Sequence, residues 1–335
     1  MDQGQVFALA GKLSRPLVPL LIPTPYPVGP VWVYLLPGEP VTLVDTGPAT
    51  RLAWKSLKEQ LAQHGFWPQQ VKQVLVTHGH HDHMGLATRF QRLGAEVFAH
   101  PADSQNLALR RHYRPLLSLL RSLGVRPSQR LFMVMGLWVL DTTSRPLQRF
   151  TPLAHGQELP SSFGVLRVHH VPGHSPGHVA FEIVGEDVWI SGDVLLEGIV
   201  PNAVLELDPL CPERPFPSLS VFRKTLQQLR DAPPKALLPA HGPAIFQVAA
   251  LAQETLSKQE RRCQQLLSQL GDEPQPLGSL LRALYPKTSG LALFLAYSDL
   301  FGQLLHLEKQ GAVLRTTRGK LLLFARTPRQ QRANA

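Results

Sequence analysis

The sequence predicts an α/β (α+β) fold in which sheets and helices are stacked in layers. Three observations carry that prediction. Apolar runs of about four to eight residues, bounded by Gly and Pro, recur along the chain and read as strands. Longer stretches with apolar residues at helical spacing and no breaker alternate with them. Several of the short runs end in a histidine or an aspartate, which gathers polar chemistry at one edge of a sheet.

Taken in order, residues 16 to 45 (with VWVYLLPGEPVTLVDTG) alternate apolar runs with Pro/Gly turns and predict successive strands. Residues 50 to 64 (TRLAWKSLKEQLAQH) predict a helix. VKQVLVT is a short strand, and AEVFAH is the strand within a helix, strand and helix that run to about residue 124. Residues 125 to 150 show no clean period, so 104 to 150 as a whole reads as a partly helical insertion. GVLRVHHVPG is a strand, and HVAFEIVGEDVWISGD is a hairpin turning at GED. A helix near 216 to 231, the strand KALLPAHG and a long helix from 246 to 271 follow. After GDEPQP come two helices and two strands, AVLRTT and KLLLFAR, in a winged-helix-like order. The expected division is a catalytic unit over 1–245, a linking helix over 246–271 and a small module over 272–335.

A chain of 335 residues accommodates one large domain and a small one. Cys211 and Cys263 lie far apart and supply neither a disulfide framework nor a CxxC site. The first residues, MDQGQVFALAGKLSRP, lack the basic start and long apolar core of a secretory signal, and no run approaches the roughly 18 apolar residues of a spanning helix. The expectation is therefore a soluble, cytoplasmic protein without a membrane partner. The formal net charge of +10 favours anionic substrates without demanding nucleic acid, because arginine outnumbers lysine 24 to 10 and the cations are mostly dispersed.

The densest chemistry lies in VLVTHGHHDHMG, residues 74 to 85. On an extended segment His78 and His80, two apart, point the same way and can reach one cation. Asp82 and His83 follow where a helix should begin, and face a second direction. Imidazoles with one carboxylate suit zinc, and also iron or manganese. Partners then appear at later strand ends: His174 in VHHVPGHSPGH, Asp193 in VWISGD and His241 in ALLPAHG. A carboxylate placed like Asp193 can bridge two cations.

In these motifs the chain resembles the metallo-β-lactamase-fold hydrolases. HxHxDH, a PGHSPGH loop, a GD aspartate and a late GH histidine occur in the family's order, over roughly residues 15 to 245. The resemblance implies a four-layer αβ/βα sandwich and two divalent metal ions. Carried over by position, His78, His80 and His174 would hold the first ion. Asp82, His83 and His241 would hold the second, with Asp193 bridging. Asp82 is also the expected catalytic residue, orienting the nucleophile or shuttling its proton. Asp45 in LVDTG and His178 would support the ligands from behind, and His81 would point away. Two such cations lower the pKa of a shared water toward neutrality, giving a bridging hydroxide.

Substrate does not follow from fold. Relatives of the main β-lactam-cleaving class place cysteine where Asp193 stands, and the oxygen-reducing relatives carry glutamate at the place of His80. Two readings remain. One is hydrolysis of a small thioester, ester or lactone, as in glyoxalase II-like relatives, with Arg110, Arg111, Arg114, Arg121, Arg126 and Arg130 of the insertion forming a lid toward an anionic or acyl substrate. The other is a ribonuclease or phosphodiesterase whose tail, with Arg315, Arg318, Lys320, Arg326, Arg329 and Arg332 and no acidic residue beyond 312, binds RNA. Such tails also pack beside the active-site mouth or mediate homodimers.

Overall fold

A computed structural model of the chain describes residues 4–109, 113–199, 205–286, 288 and 290–328. Arg110, Arg111, Arg329 and Arg332 lie outside the described residues. The chain opens with α1 (Gly4–Ala10), β1 (Val18–Ile22), β2 (Val31–Leu36), β3 (Thr42–Val44), α2 (Arg51–Gln63), β4 (Gln73–Leu75), α3 (His81–Met84), α4 (Ala87–Arg92) and β5 (Glu96–Ala99). The insertion contributes α5 (Ser104–Leu107), α6 (Tyr113–Ser122) and α7 (Pro127–Asp141). Then come β6 (Thr151–Pro152), β7 (Glu158–Ser161), β8 (Gly164–His170), β9 (Val179–Ile183), β10 (Val188–Gly192), the ribbon β11 (Leu207–Asp208) and β12 (Cys211–Pro215), α8 (Ser218–Asp231), β13 (Ala236–Pro239) and α9 (Val248–Gln269). The chain ends through β14 (Gln275–Pro276), α10 (Leu277–Leu284), α11 (Gly290–Lys309), β15 (Val313–Arg318) and β16 (Leu321–Arg326).

Strand alternation builds the layers. In β2, Val31, Val33 and Leu35 join the core beneath α2 and α4, with Ala53, Leu57, Leu61 and Phe90. The intervening Trp32, Tyr34 and Leu36 face the other way and meet Leu166, Val168, Phe181, Ile183 and Ile190 of a second sheet. That period of two is the reason one short strand can serve both a helix layer and a sheet. The first sheet runs β1-β2-β3-β4-β5-β6 and the second β13-β10-β9-β8-β7. On the far face of the second, Ala180 and Leu237 pack under Phe222 and Leu226 of α8 and Val248, Ala252 and Leu256 of α9. The result is the expected four-layer αβ/βα sandwich.

Strand direction decides where the site lies. β3, β4 and β5 are mutually parallel, as are β10 and β13, while β8 and β10 both run antiparallel to β9. Their C-terminal ends therefore share one rim for each sheet. Tyr34 bonds across the gap, its hydroxyl donating to the Pro239 carbonyl at 2.6 Å, and the Trp32 indole donates to Gly242 at 2.9 Å. These two bonds tie the first sheet to the loop that carries His241.

The insertion contains a fifteen-residue helix, α7, where the sequence shows no clean period. Its apolar side chains lie on both faces: Met133 and Leu137 are buried, while Leu131, Phe132, Met135, Trp138 and Val139 are exposed. A helix apolar all round has no stripe to detect. α6 and α7 share one core with α10, α11 and β16, through Leu120, Leu123, Leu137, Leu280, Phe294, Phe301 and Phe324. The two halves of α9 enter different cores, Val248, Ala252 and Leu256 the one beneath the second sheet and Cys263, Leu266 and Leu267 this one. Among the described residues no helix is long and apolar enough to cross a membrane.

Candidate metal centre

The strand ends deliver the predicted side chains to one place. One ligand atom from each of His78, His80 and His174 lies within 4.8 Å of the others, and the same holds for Asp82, His83 and His241, and for His78, His83 and Asp193. Asp193 sits between the imidazoles. Its Oδ2 lies 3.5 Å from His174 Nε2 and 3.6 Å from His83 Nε2, and its Oδ1 lies 3.9 Å from His241 Nε2. Asp82 reaches His241 Nε2 at 3.5 Å and His83 Nε2 at 3.7 Å. These separations are too long for hydrogen bonds. They match the roughly 3.4 Å between two donors that each lie about 2.1 Å from a tetrahedral cation.

The hydrogen-bond network fixes which nitrogens face inward. The Thr77 hydroxyl donates to Asp45 Oδ2 at 2.8 Å, so toward His78 Nδ1, 3.1 Å away, it can only accept. His78 therefore carries its hydrogen on Nδ1 and turns a bare Nε2 to the site. His80 Nε2 faces the Glu206 carboxylate at 3.3 Å, which leaves its Nδ1 bare as well. Burial first, then the neighbouring imidazoles, hold His78 well below the usual histidine range. Burial takes His80 down to about 4 against the pull of Asp82 and Asp103. Each ring is thus neutral and has a single hydrogen to place. Two bare nitrogens stand 2.9 Å apart, an arrangement that suits a cation beside both.

The second triad has the same character. His83 Nδ1 donates to Asp45 Oδ2 at 2.8 Å and His241 Nδ1 to the Pro30 carbonyl at 2.8 Å, which turns both Nε2 atoms inward. Those two nitrogens and Asp193 Oδ1 are buried with no hydrogen-bond partner. Such atoms cost about 1–3 kcal/mol each unless something electropositive meets them. Burial disfavours charge on His83 and His241, but Asp193 and Asp82 outweigh it and raise both. Burial likewise opposes ionisation of Asp82 and Asp193. His83 and His241 win, and Asp82 is held at about 2 and Asp193 well below the carboxylate range. The negative field that favours a proton on these two inward Nε2 atoms would equally favour divalent cations in its place.

Other predicted residues fall around this centre. Asp45 takes Thr77 N on Oδ1 at 2.8 Å as well as His83 on Oδ2, which orients His83 in the manner of a carboxylate behind a ligating imidazole. His178 Nε2 accepts from the Asp193 backbone N–H at 3.2 Å and so positions that carboxylate's loop. His81 turns away, with Nδ1 2.8 Å from Ser144 Oγ and Nε2 3.3 Å from Asp141. Burial pushes the Cys263 thiol up to about 12, far from any reactive thiolate. Arg121 and Arg130 border a separate hollow with Lys320.

Two residues absent from the sequence reading matter here. Asp103, only 1 % exposed, accepts from Gly79 N at 2.7 Å, Ser175 Oγ at 2.7 Å and Gly177 N at 2.6 Å. It fastens the loop of His78 and His80 to the loop of His174. Its signal was available, since it follows the strand AEVFA much as the ligands follow theirs. Glu206, which faces His80 Nε2 and accepts from Asn106 Nδ2 at 3.0 Å, sits in a run without a motif.

The profile of the Metallo-beta-lactamase superfamily matches residues 26–241. The chain belongs to that superfamily. Over 320 residues this metallo-β-lactamase-fold chain is 28 % identical to the probable metallo-hydrolase YqjP of Bacillus subtilis (strain 168), covering 93 % of this chain and 98 % of the relative. The metallo-beta-lactamase family protein TTHA1429 of Thermus thermophilus superposes with a TM-score of 0.79 at 31 % identity, over 92 % of this chain and 98 % of the other. A beta-lactamase domain protein from Burkholderia ambifaria shares the fold, with a TM-score of 0.75 at 21 % identity over 92 % of each chain. The superfamily binds divalent metals, and this member is a metal-dependent hydrolase.

Proposed function

We propose that this hydrolase cleaves a small thioester, ester or lactone with two zinc ions, iron or manganese being the alternatives. His78, His80 and His174 would hold one ion, Asp82, His83 and His241 the other, and Asp193 both. When bound, such cations supply an activated water near neutral pH and offset the negative charge that grows on the attacked oxygen. The chain's own groups do the positioning. Asp82, ionised throughout the neutral range, accepts a hydrogen bond from the attacking water at a carboxylate oxygen and fixes its approach. Asp45 and Glu206 hold the rings of His83 and His80, and Asp103 keeps the two ligand loops in register.

The observation that carries the small-substrate reading is the cleft at His80, whose lining includes Phe294 of α11 and Leu116 of α6. A cleft lined largely by apolar side chains suits a small acyl compound better than a polymer. After loading with zinc or manganese, the protein should hydrolyse p-nitrophenyl acetate or an acyl thioester and lose the activity on chelation. His241→Ala should remove at least about 100-fold of it. If fully metallated protein leaves thioesters, esters and lactones untouched, the reading fails. A second reading, cleavage of RNA or another phosphodiester, is favoured by one feature, the hollow where Arg121, Arg130 and Lys320 converge. It requires binding of single-stranded RNA that weakens steeply with salt.

A further inference from the structure

Helix α7 turns an apolar stripe to solvent, and the residues along that stripe are ordered symmetrically. Leu131, Phe132, Met135, Trp138 and Val139 are each between 56 and 65 % exposed, while Met133 and Leu137 on the opposite face are buried. Spacings of three, four and seven residues set those five on one side of the helix. No charged residue occurs from Leu131 to Leu140. About Met135 the stripe reads alike in both directions. An aromatic stands three residues away on each side, Phe132 and Trp138, and an aliphatic four away, Leu131 and Val139. Seven residues away on each side, Ser128 and Thr142 are exposed and end the stripe with a hydroxyl.

A two-fold contact requires that symmetry, because each patch then meets a copy of itself. With a second α7 laid antiparallel and Met135 on the axis, Phe132 meets the partner's Trp138 and Leu131 meets the partner's Val139. Gly136 stands at the edge of the stripe, one turn from Phe132 and Val139. Glycine weakens a helix interior relative to alanine, and among the described residues a Cβ at Gly136 would meet nothing within 4 Å. The single chain gains nothing from that glycine, whereas a second helix packed there gains close approach of the two backbones.

Area and charge both favour a second copy. With full areas of about 150–250 Å² for the aromatic side chains and somewhat less for the others, the five expose about 600 Å² per copy. A two-fold contact over them buries about 1,200 Å², which reaches the lower end of specific, stable interfaces. Helices that lie on membranes carry Lys and Arg beside the apolar face. Here the cation of α7, Arg130, lines a separate hollow with Arg121 and Lys320, and the charge that follows the stripe is the acid Asp141. The segments of this chain outside the described residues contain no Phe, Tyr or Trp to match Phe132 and Trp138.

We propose that the exposed face of α7 is a dimer interface that takes a second copy of this chain, antiparallel about a two-fold axis at Met135. The contact forms whichever compound the metal centre hydrolyses.

Sedimentation velocity of the full chain between about 1 and 100 μM should show a dimer with a dissociation constant in the micromolar range, as suits an interface of this size. Met135→Glu sets two carboxylates against each other on the axis and should raise that constant at least about 100-fold. Leu52→Glu, at an equally exposed residue of α2, should leave it unchanged. Register is read by mixing. Leu131→Lys and Val139→Glu should each be monomeric where the wild type is dimeric. Mixed in equal amounts they should form a one-to-one dimer, because the new ammonium faces the new carboxylate of the other copy. Circular dichroism checks that all variants are folded. A wild type that stays monomeric at about 100 μM would overturn the interface. So would a dimer that survives Met135→Glu, or a pair of variants that stays monomeric on mixing. Monomeric wild type that pellets with phosphatidylcholine–phosphatidylglycerol vesicles, and no longer does so after Met135→Glu, would make the stripe a membrane contact and overturn the dimer.

Discussion

Asp45→Asn isolates one carboxylate from everything around it. Asp45 adopts a left-handed backbone, with φ of 62°, which asparagine accepts about as readily as aspartate. The backbone is therefore not perturbed, as it would be by alanine. Three donors converge on the carboxylate at 2.8 Å: Thr77 N on Oδ1, and Thr77 Oγ1 and His83 Nδ1 on Oδ2. Asparagine offers one oxygen. If that oxygen keeps the pair on Oδ2, the amide NH2 faces the buried Thr77 N–H, so one hydrogen bond to charge is lost and a donor is stranded. The charged bond contributes about 1.5–3 kcal/mol and the stranded donor costs a further 1–3, part of which local relaxation recovers, for a net loss of about 2–4 kcal/mol. His83 also loses the partner that makes its Nε2 a strong donor, and metal affinity should fall about 10- to 100-fold. Urea unfolding of metal-free protein reads the first quantity, and competition with a zinc-binding dye the second. A variant within about 0.5 kcal/mol of wild type that binds zinc equally well would refute the role given to Asp45.

Two further outcomes are expected from the same geometry. A Cβ added at Gly177 would lie 2.6 Å from Asp103 N and 2.8 Å from its Cγ. Gly177→Ala must therefore displace Asp103, costing about 2–4 kcal/mol of stability and loosening the loop of His174, checked by unfolding and by zinc content after dialysis. His100 packs against the His170 ring at 4.0 Å, and burial together with that ring takes it down to about 4. Its folded pKa is depressed, so between about pH 6.5 and 4 the unfolded chain binds more protons and stability falls as the pH falls. His100→Asn should reduce the slope of unfolding free energy against pH in that window by about one proton, and an unchanged slope would show that His100 does not resist protonation.

The rim that gathers the histidines and acids was legible in the sequence because each of them stands a few residues beyond an apolar strand, and strand ends at a parallel rim converge. His78, His174, Asp193 and His241 needed no long-range information beyond that rule. Glu206 did, since its proximity to His80 is created by a ribbon 126 positions further along. The helix α7 was hidden for a different reason: Leu131, Phe132 and Trp138 stay exposed on one side while Met133 and Leu137 are buried on the other, which erases the period. Nor does local pattern disclose that the insertion and the C-terminal segment share a core, because Leu120 and Phe324 meet only after both have folded.

This division between legible and illegible residues has a physical cause. Chemistry at the centre depends on donor atoms held within a few tenths of an ångström, and short strand-to-loop motifs with Gly and Pro set such positions locally. Recognition of a small substrate depends only on a surface of suitable shape and polarity, which many combinations of Leu, Pro and Phe supply. The walls of the cleft can therefore come from α6, the ribbon and α11 without any shared spacing. Substitution at Leu207 or Phe294 should then move substrate preference while His78, His83 and Asp193 keep their arrangement. A change at Asp103 should act the other way, lowering turnover of every substrate alike, because it alters the rim and not the walls.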